Sequence, residues 1–149
     1  MDKGDKKLLD DINTRGWHVL KVFDVNGHLP DFAYSIGAYH SFKQPEIILF
    51  GLDLDDMHTI INDIVEAMEA GKTLILDEPY PDFLDGCDCV FRPVKKKHYK
   101  EYLGYGEWFY KCEDFPVLQC FWPDKYGCYP WEEGFVEGLI EFQPLLYED

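Results

Sequence analysis

The run Glu46–Phe50 (EIILF) is the feature that most constrains how this chain folds. After Glu46 its residues are all apolar, so the segment has no polar face to turn to solvent. A strand of this kind has to be covered by helices on one side and by sheet or loop on the other. The preceding run Phe32–Gly37 is also largely apolar, and a polar, aromatic loop joins the two. We therefore expect Phe32–Gly51 to form two buried strands on which the rest of the chain packs.

Periodicity predicts the elements around these strands. Apolar residues recur every three or four positions over Asp55–Ala70, as expected for a helix with one buried face. Trp17–Phe23 alternates with period two and is followed by Asn26-Gly27, a common hairpin turn, so this segment should pair antiparallel with Phe32–Gly37. We expect further strands at Lys72–Leu76, Cys89–Val94 and Pro116–Trp122, shorter helices over Lys6–Arg15 and after Val94, and an irregular loop through about Asp88.

These elements predict one α+β domain over residues 1–149, with a mixed or antiparallel sheet flanked by two to three helices. The length of 149 residues suits a single core, and a hydrophobic content of 46% is enough to fill it.

The charge balance favours some partner classes and argues against others. The chain carries 29 Asp and Glu against 14 Lys and Arg, for a formal net charge of −15. This field repels nucleic acids and anionic membranes and speeds encounter with basic proteins. The N-terminus lacks the apolar run of a signal peptide, and the five cysteines show no disulfide framework, so we expect a cytoplasmic protein with reduced thiols.

Several short segments, in this order, resemble a bacterial family called domain of unknown function 4262. They are Gly16-Trp17, the strand Phe32–Gly37, Pro45-Glu46 leading into Ile47–Leu52, Gln119–Asp124, Pro130-Trp131 and Gln143-Pro144. The chain has Ser35 where the family more often has threonine, and Ala38 where leucine is common. The resemblance implies an α+β bacterial domain and brings no established activity or catalytic residues with it.

One candidate ligand site consists of Tyr34, Ser35, His40 and Glu46. The segment Ala33–Gly37 resembles a relaxed G-x-S-x-G nucleophile elbow, but that motif needs a helix directly after the strand, and here a loop is expected. A serine hydrolase is therefore disfavoured. An enzyme or ligand-binding domain at this site stays the alternative hypothesis, and it requires His40 or His28 to meet Glu46 or Asp124 within hydrogen-bond distance.

The sequence predicts neither a metal site nor a cofactor. Cys87 and Cys89 form the one close cysteine pair, with C-x-C rather than zinc-knuckle spacing, and no histidines show H-x-x-x-H spacing. Gly71-Lys72-Thr73 lacks the earlier glycine of a phosphate loop.

A second candidate site is aromatic and acidic, which suits a protein-binding surface. Tryptophan and tyrosine supply contact area, and neighbouring carboxylates accept hydrogen bonds from basic side chains. Its predicted residues are Asp124, Tyr126, Trp131, Glu132 and Glu133, with Asp82 and Asp85 from the acidic loop. From these features we favour an immunity protein, similar to an antitoxin, that occludes the active site of a basic toxin domain. A homodimer through exposed aromatic residues is a further alternative.

Overall fold

The computed structural model describes residues 3–27 and 30–149, and its centre is a six-stranded sheet. The strand order is β1-β2-β3-β6-β5-β4, and every neighbouring pair is antiparallel except β3 and β6, which run parallel. The strands are β1 His18–Val22, β2 Phe32–Ile36, β3 Glu46–Phe50, β4 Tyr80–Leu84, β5 Cys87–Pro93 and β6 Val117–Phe121. The predicted α+β class with a mixed sheet is confirmed.

Five α-helices and two 3₁₀ helices accompany the sheet in the described residues. The α-helices are α1 Lys3–Arg15, α2 Ala38–Phe42, α3 Leu54–Glu69, α4 Tyr99–Tyr102 and α5 Gly104–Tyr110, and the 3₁₀ helices are Lys96–His98 and Glu137–Phe142. No helix among them is both long enough and apolar enough to span a bilayer.

The strand β3 lies in the interior, as its sequence requires. All five of its residues are buried, and its neighbours β2 and β6 are buried along their whole length too. One face of the sheet packs on the Met57, Ile61, Ile64 and Met68 side of α3. The other face carries Ile48 and Phe50, which pack with residues of α1, α4 and the C-terminal segment. Both faces are thus covered, which explains the continuous apolar run.

The first two strands pair as predicted. β1 and β2 are antiparallel, with His18 opposite Ile36 and Val22 opposite Phe32. The Asn26-Gly27 turn lies inside the longer connection between them, where Gly27 N–H donates to Asp24 O at 2.9 Å. His28 and Leu29 lie outside the described residues.

The helix α3 has a defined start. Asp53 is its N-cap, and the Asp53 carboxylate accepts the N–H groups of Asp55 at 3.0 Å and Asp56 at 3.1 Å. Such a cap satisfies donors that the first helical turn leaves without a partner. The predicted helix over Asp55–Ala70 and its role in core packing are confirmed.

Two local predictions are wrong. No strand forms over Lys72–Leu76; instead β4 forms within the segment expected to be an irregular loop. β4 is the outer strand beside β5 and contains Pro81, which cannot donate a backbone hydrogen bond. An edge strand tolerates proline because one side of its backbone needs no partner.

The second wrong prediction concerns the connection between β2 and β3. It contains the short helix α2 rather than only a loop. Five residues are too few for a periodic pattern, so the sequence carries no local signal for this helix.

Candidate functional site

Glu46, one of the predicted ligand residues, is a buried carboxyl group surrounded by hydrogen-bond donors. Glu46 is the first residue of β3 and is 1% exposed. The carboxylate accepts hydrogen bonds from Ser35 Oγ at 2.7 Å, Gly37 N at 2.9 Å, Ala38 N at 3.2 Å, Tyr39 N at 3.2 Å and the Tyr110 hydroxyl. Glu46 therefore holds the first turn of α2 and ties it to the end of α5.

The Glu46 network is closed. Burial raises the pKa of Glu46, and the Tyr110 and Ser35 hydroxyls together with backbone N–H donors counteract that rise. Ser35 Oγ also accepts the Ile47 N–H at 3.0 Å, and Ser35 is itself 1% exposed. The side-chain polar atoms of Ser35 and Glu46 thus form hydrogen bonds with partners inside the protein, as buried polar groups generally do.

The other two residues of the predicted ligand site point elsewhere. The hydroxyl of buried Tyr34 accepts the Tyr105 N–H at 3.1 Å. His40 is exposed on α2, with its ring 5.5 Å from that of Phe109 in an edge contact. His28, the other histidine named for this site, lies outside the described residues. Ser35 and Glu46 are therefore hydrogen-bonded to each other, whereas the ring of His40 contacts Phe109 instead of these two residues.

The helix α2 also bears on the nucleophile-elbow comparison. A helix does follow the strand directly, so the expectation of a loop after Gly37 is wrong. Ser35, however, lies within β2, and its hydroxyl donates to a buried carboxylate instead of facing a pocket.

Asp124, from the predicted protein-binding set, binds backbone N–H groups of its own loop. It is 6% exposed, and its carboxylate accepts the N–H groups of Tyr126, Cys128 and Val136, each at 2.9 Å. Desolvation raises the pKa of Asp124, but these backbone donors outweigh that effect and lower the pKa below its ordinary value. The carboxylate is therefore not free for a partner.

Trp131 is similarly engaged within the chain. Its ring stacks on that of Tyr129, with centroids 5.3 Å apart, and the Arg92 guanidinium lies 3.7 Å from its centroid. Arg92 also contacts the ring of Tyr147 at 4.6 Å and pairs with Asp77 at 2.7 Å. Much of the aromatic surface predicted for a partner is thus used in folding.

The remaining predicted residues are exposed but scattered. Tyr126 is 71% exposed, with Lys125 Nζ 5.2 Å from its ring centroid. Glu132 and Glu133 are exposed, and Glu132 accepts the Tyr129 N–H at 2.8 Å. Of the two loop aspartates, Asp82 lies 3.7 Å from Lys72 Nζ, whereas Asp85 faces an open cleft.

That cleft, which we name the acidic cleft, has a volume of about 550 Å³. It lies between α3 and the β4–β5 hairpin, beside the segments that follow the parallel strands β3 and β6. Its apolar lining includes Leu52, Ile60, Phe83, Leu84 and Trp122, and its carboxylates are Asp53, Asp56, Asp63 and Asp85. A cavity with apolar walls and a few polar groups is the usual form of a binding site.

The charges of the acidic cleft are not balanced locally. Asp53 is occupied as the α3 cap, but Asp56, Asp63 and Asp85 form no salt bridge with any residue that the structure describes. No Lys, Arg or His belongs to the described lining of the cleft. The cleft is therefore suited to receive a positive charge.

Trp122 is fixed in position at this cleft. Its indole N–H donates to Phe50 O at 2.7 Å. Gln143 holds its backbone, accepting the Trp122 N–H at 3.1 Å and donating to Trp122 O at 2.9 Å. Both Trp122 and Gln143 belong to the segments that carried the family resemblance.

Most of the acidic cleft was not predicted from the sequence. Of its carboxylates, only Asp85 was among the predicted site residues. A usable signal was present, because Asp56, Ile60 and Asp63 recur at helical spacing and so lie on one side of α3.

The described residues offer no evident metal centre. They contain no group of three or more His, Cys, Asp or Glu arranged to hold a metal ion. Cys87 lines the acidic cleft, Cys89 and Cys120 are buried, and all five cysteines are free thiols.

Fold and site together define an α+β domain with a closed carboxylate network and an open acidic cleft. Residues 11–136 match the model of a family described as a domain of unknown function, DUF4262, and since this match covers most of the chain, the protein belongs to that family. Neither a curated protein nor a solved structure gave a match.

Proposed function

We propose that this chain is a cytoplasmic bacterial binding protein that neutralises a basic protein, as an immunity protein neutralises a toxin domain. The observation that carries the proposal is the acidic cleft, whose aspartates face a cavity without a cation in its described lining. The partner docks a basic surface there and its own active site is covered as a result.

The charge of the whole chain supports this role. A net charge of −15 attracts a basic partner over long range and raises the encounter rate by about 10- to 1000-fold at low salt. Short-range contacts in the cleft then hold the complex. The same charge makes two copies of this chain repel each other, which weighs against the homodimer alternative.

The enzyme alternative has less support. Ser35 and Glu46 are buried and bonded to each other, and Asp124 is bonded to its own loop. A catalytic acid or base has to reach a substrate, and these groups reach only their internal partners.

The proposal is tested by co-expressing the tagged chain with the product of the neighbouring gene in its native host. We expect a stoichiometric complex with a basic protein, whose association rate falls as salt concentration rises. Recovery of the chain alone, or with a bound small molecule, would contradict the proposal and favour a ligand site near His40.

A further inference from the structure

The lining of the acidic cleft has an apolar part and a charged part, and a cationic side chain that binds there contacts both. Its apolar part, with Leu52, Leu84 and Trp122, can cover an aliphatic stem and a flat group. Its carboxylates come from different sides, with Asp56 and Asp63 on α3 and Asp85 at the β4–β5 turn. A group that is flat, weakly hydrated and able to donate in several directions fits both parts of the lining.

Among protein cations, arginine has these properties. Its guanidinium is planar, stacks on aromatic faces and carries five N–H donors in a fixed fork. The lysine ammonium is compact and strongly hydrated, so it loses more hydration when it enters an apolar cleft. A guanidinium can stack on an aromatic face and donate to a carboxylate at the same time, whereas the ammonium hydrogens spread from a single atom.

The chain itself shows this mode of guanidinium binding. Arg92 lies with its guanidinium 3.7 Å from the ring centroid of Trp131 while its Nε pairs with Asp77 Oδ1 at 2.7 Å. An aromatic face and a carboxylate together hold the arginine. The acidic cleft offers the same combination, Trp122 with Asp56, Asp63 and Asp85, but the cleft has no arginine of its own in the described lining.

We infer that the acidic cleft receives an arginine side chain of the basic partner and prefers it to lysine. This inference rests on the proposed function and adds to it the chemical group that enters the site. Charge complementarity selects a cation, and the apolar lining with Trp122 selects the guanidinium among cations.

The test uses two short capped peptides that differ only in a central arginine or lysine. Each is titrated into the full ¹⁵N-labelled chain, and the Trp122 indole signal and the backbone signals of Asp56 and Asp63 are followed. We expect the arginine peptide to bind about three- to tenfold more tightly than the lysine peptide. Trp122→Phe should keep most of this preference and Trp122→Leu should abolish it.

Matched variants separate the charge from the aromatic contribution. Asp63→Asn should weaken both peptides to a similar degree, whereas Glu66→Gln, which removes one charge from α3 outside the cleft, should change neither. Equal binding of the two peptides would overturn the preference for arginine while leaving the proposed function in place. If neither peptide shifts a cleft signal although the basic partner still binds, the partner uses another surface, and the inference is wrong.

Discussion

At the residue scale, several polar side chains that the sequence suggested as site residues instead stabilise the fold. Glu46 supports α2, Ser35 bridges β2 and β3, and Asp124 closes its own loop. Each is buried, and a buried polar group left without a partner costs free energy that these contacts avoid. Buried polar clusters in this chain therefore indicate structural positions rather than a site of chemistry.

Replacing Glu46 by glutamine should destabilise the protein. The amide presents an N–H₂ group where Gly37, Tyr39 and Tyr110 already donate, so at least one donor loses its acceptor. We expect Glu46→Gln to lower the free energy of unfolding by about 2–3 kcal/mol, measured by urea denaturation. The control Glu66→Gln is exposed and should stay within about 0.5 kcal/mol of the original chain. Equal effects of both variants would contradict the structural role of Glu46.

Asp124 gives a pH dependence with a defined sign. Its pKa in the folded protein is lowered, so its contribution to stability is present above the unfolded value of about 3.9 and is lost as pH falls through the folded pKa. The measurement is an NMR titration of the Asp124 side-chain carboxyl carbon, and we expect its midpoint below that of an unfolded reference peptide. A midpoint above the reference would show that the backbone donors do not control this carboxylate.

At the element scale, the junction between β2 and α2 depends on a glycine. Gly37 has φ +118°, and a Cβ at this position would meet the Gly16 carbonyl oxygen and lie 2.8 Å from Trp17 Cα. These are backbone atoms, which cannot move aside as a flexible side chain can. The junction also carries two of the N–H groups that bind Glu46, so the turn, the helix and the buried carboxylate form one unit.

Substituting alanine for Gly37 should therefore cost more than backbone strain alone. Gly71 provides a matched control, because it also has positive φ, +106°, but a Cβ there would meet nothing within 4 Å. We expect Gly71→Ala to destabilise by about 1–2 kcal/mol. The overlap should make Gly37→Ala at least about 2 kcal/mol worse, both measured by denaturant unfolding. Similar losses for the two variants would mean that the β2–α2 junction can relax.

At the scale of the whole molecule, the arrangement of charge matters more than its amount. Six of the described lysines and arginines pair with carboxylates of the chain, among them Arg92 with Asp77 and Lys95 with Asp149. The aspartates of the acidic cleft have no such cations beside them. A partner that supplies positive charge at the cleft therefore meets carboxylates that are not already paired.

Two double variants separate cleft charge from total charge. Asp56→Asn with Asp63→Asn removes two charges from the cleft, and Glu66→Gln with Glu69→Gln removes two from exposed positions of α3 outside it. If the proposed basic partner binds in the cleft, we expect the cleft pair to weaken its binding about tenfold, mainly through faster dissociation, and the control pair to change it less than about twofold. Surface plasmon resonance at fixed salt measures both affinities. Equal effects would show that binding depends only on the overall charge of the chain.

Much of the fold was predictable from local patterns. The apolar run of β3, the alternation of β1 and the helical stripe of α3 each state which side of an element is buried, and that information is contained within a few residues. The antiparallel pairing of β1 with β2 followed as well, because the two segments are adjacent in sequence. Strong net acidity and the family resemblance were also readable without any coordinates.

Tertiary structure decided the rest, because it depends on which distant residues meet. α2 is held by Glu46, whose carboxylate also binds the distant Tyr110. β4 pairs with its neighbour β5, but Pro81 argued against a strand in the local pattern. The acidic cleft joins Asp63, Asp85 and Trp122, which are far apart in the chain. The sequence determined the elements and their buried faces, since apolar burial is a local, periodic requirement. The strand order then determined which polar groups were enclosed and which faced an open cavity.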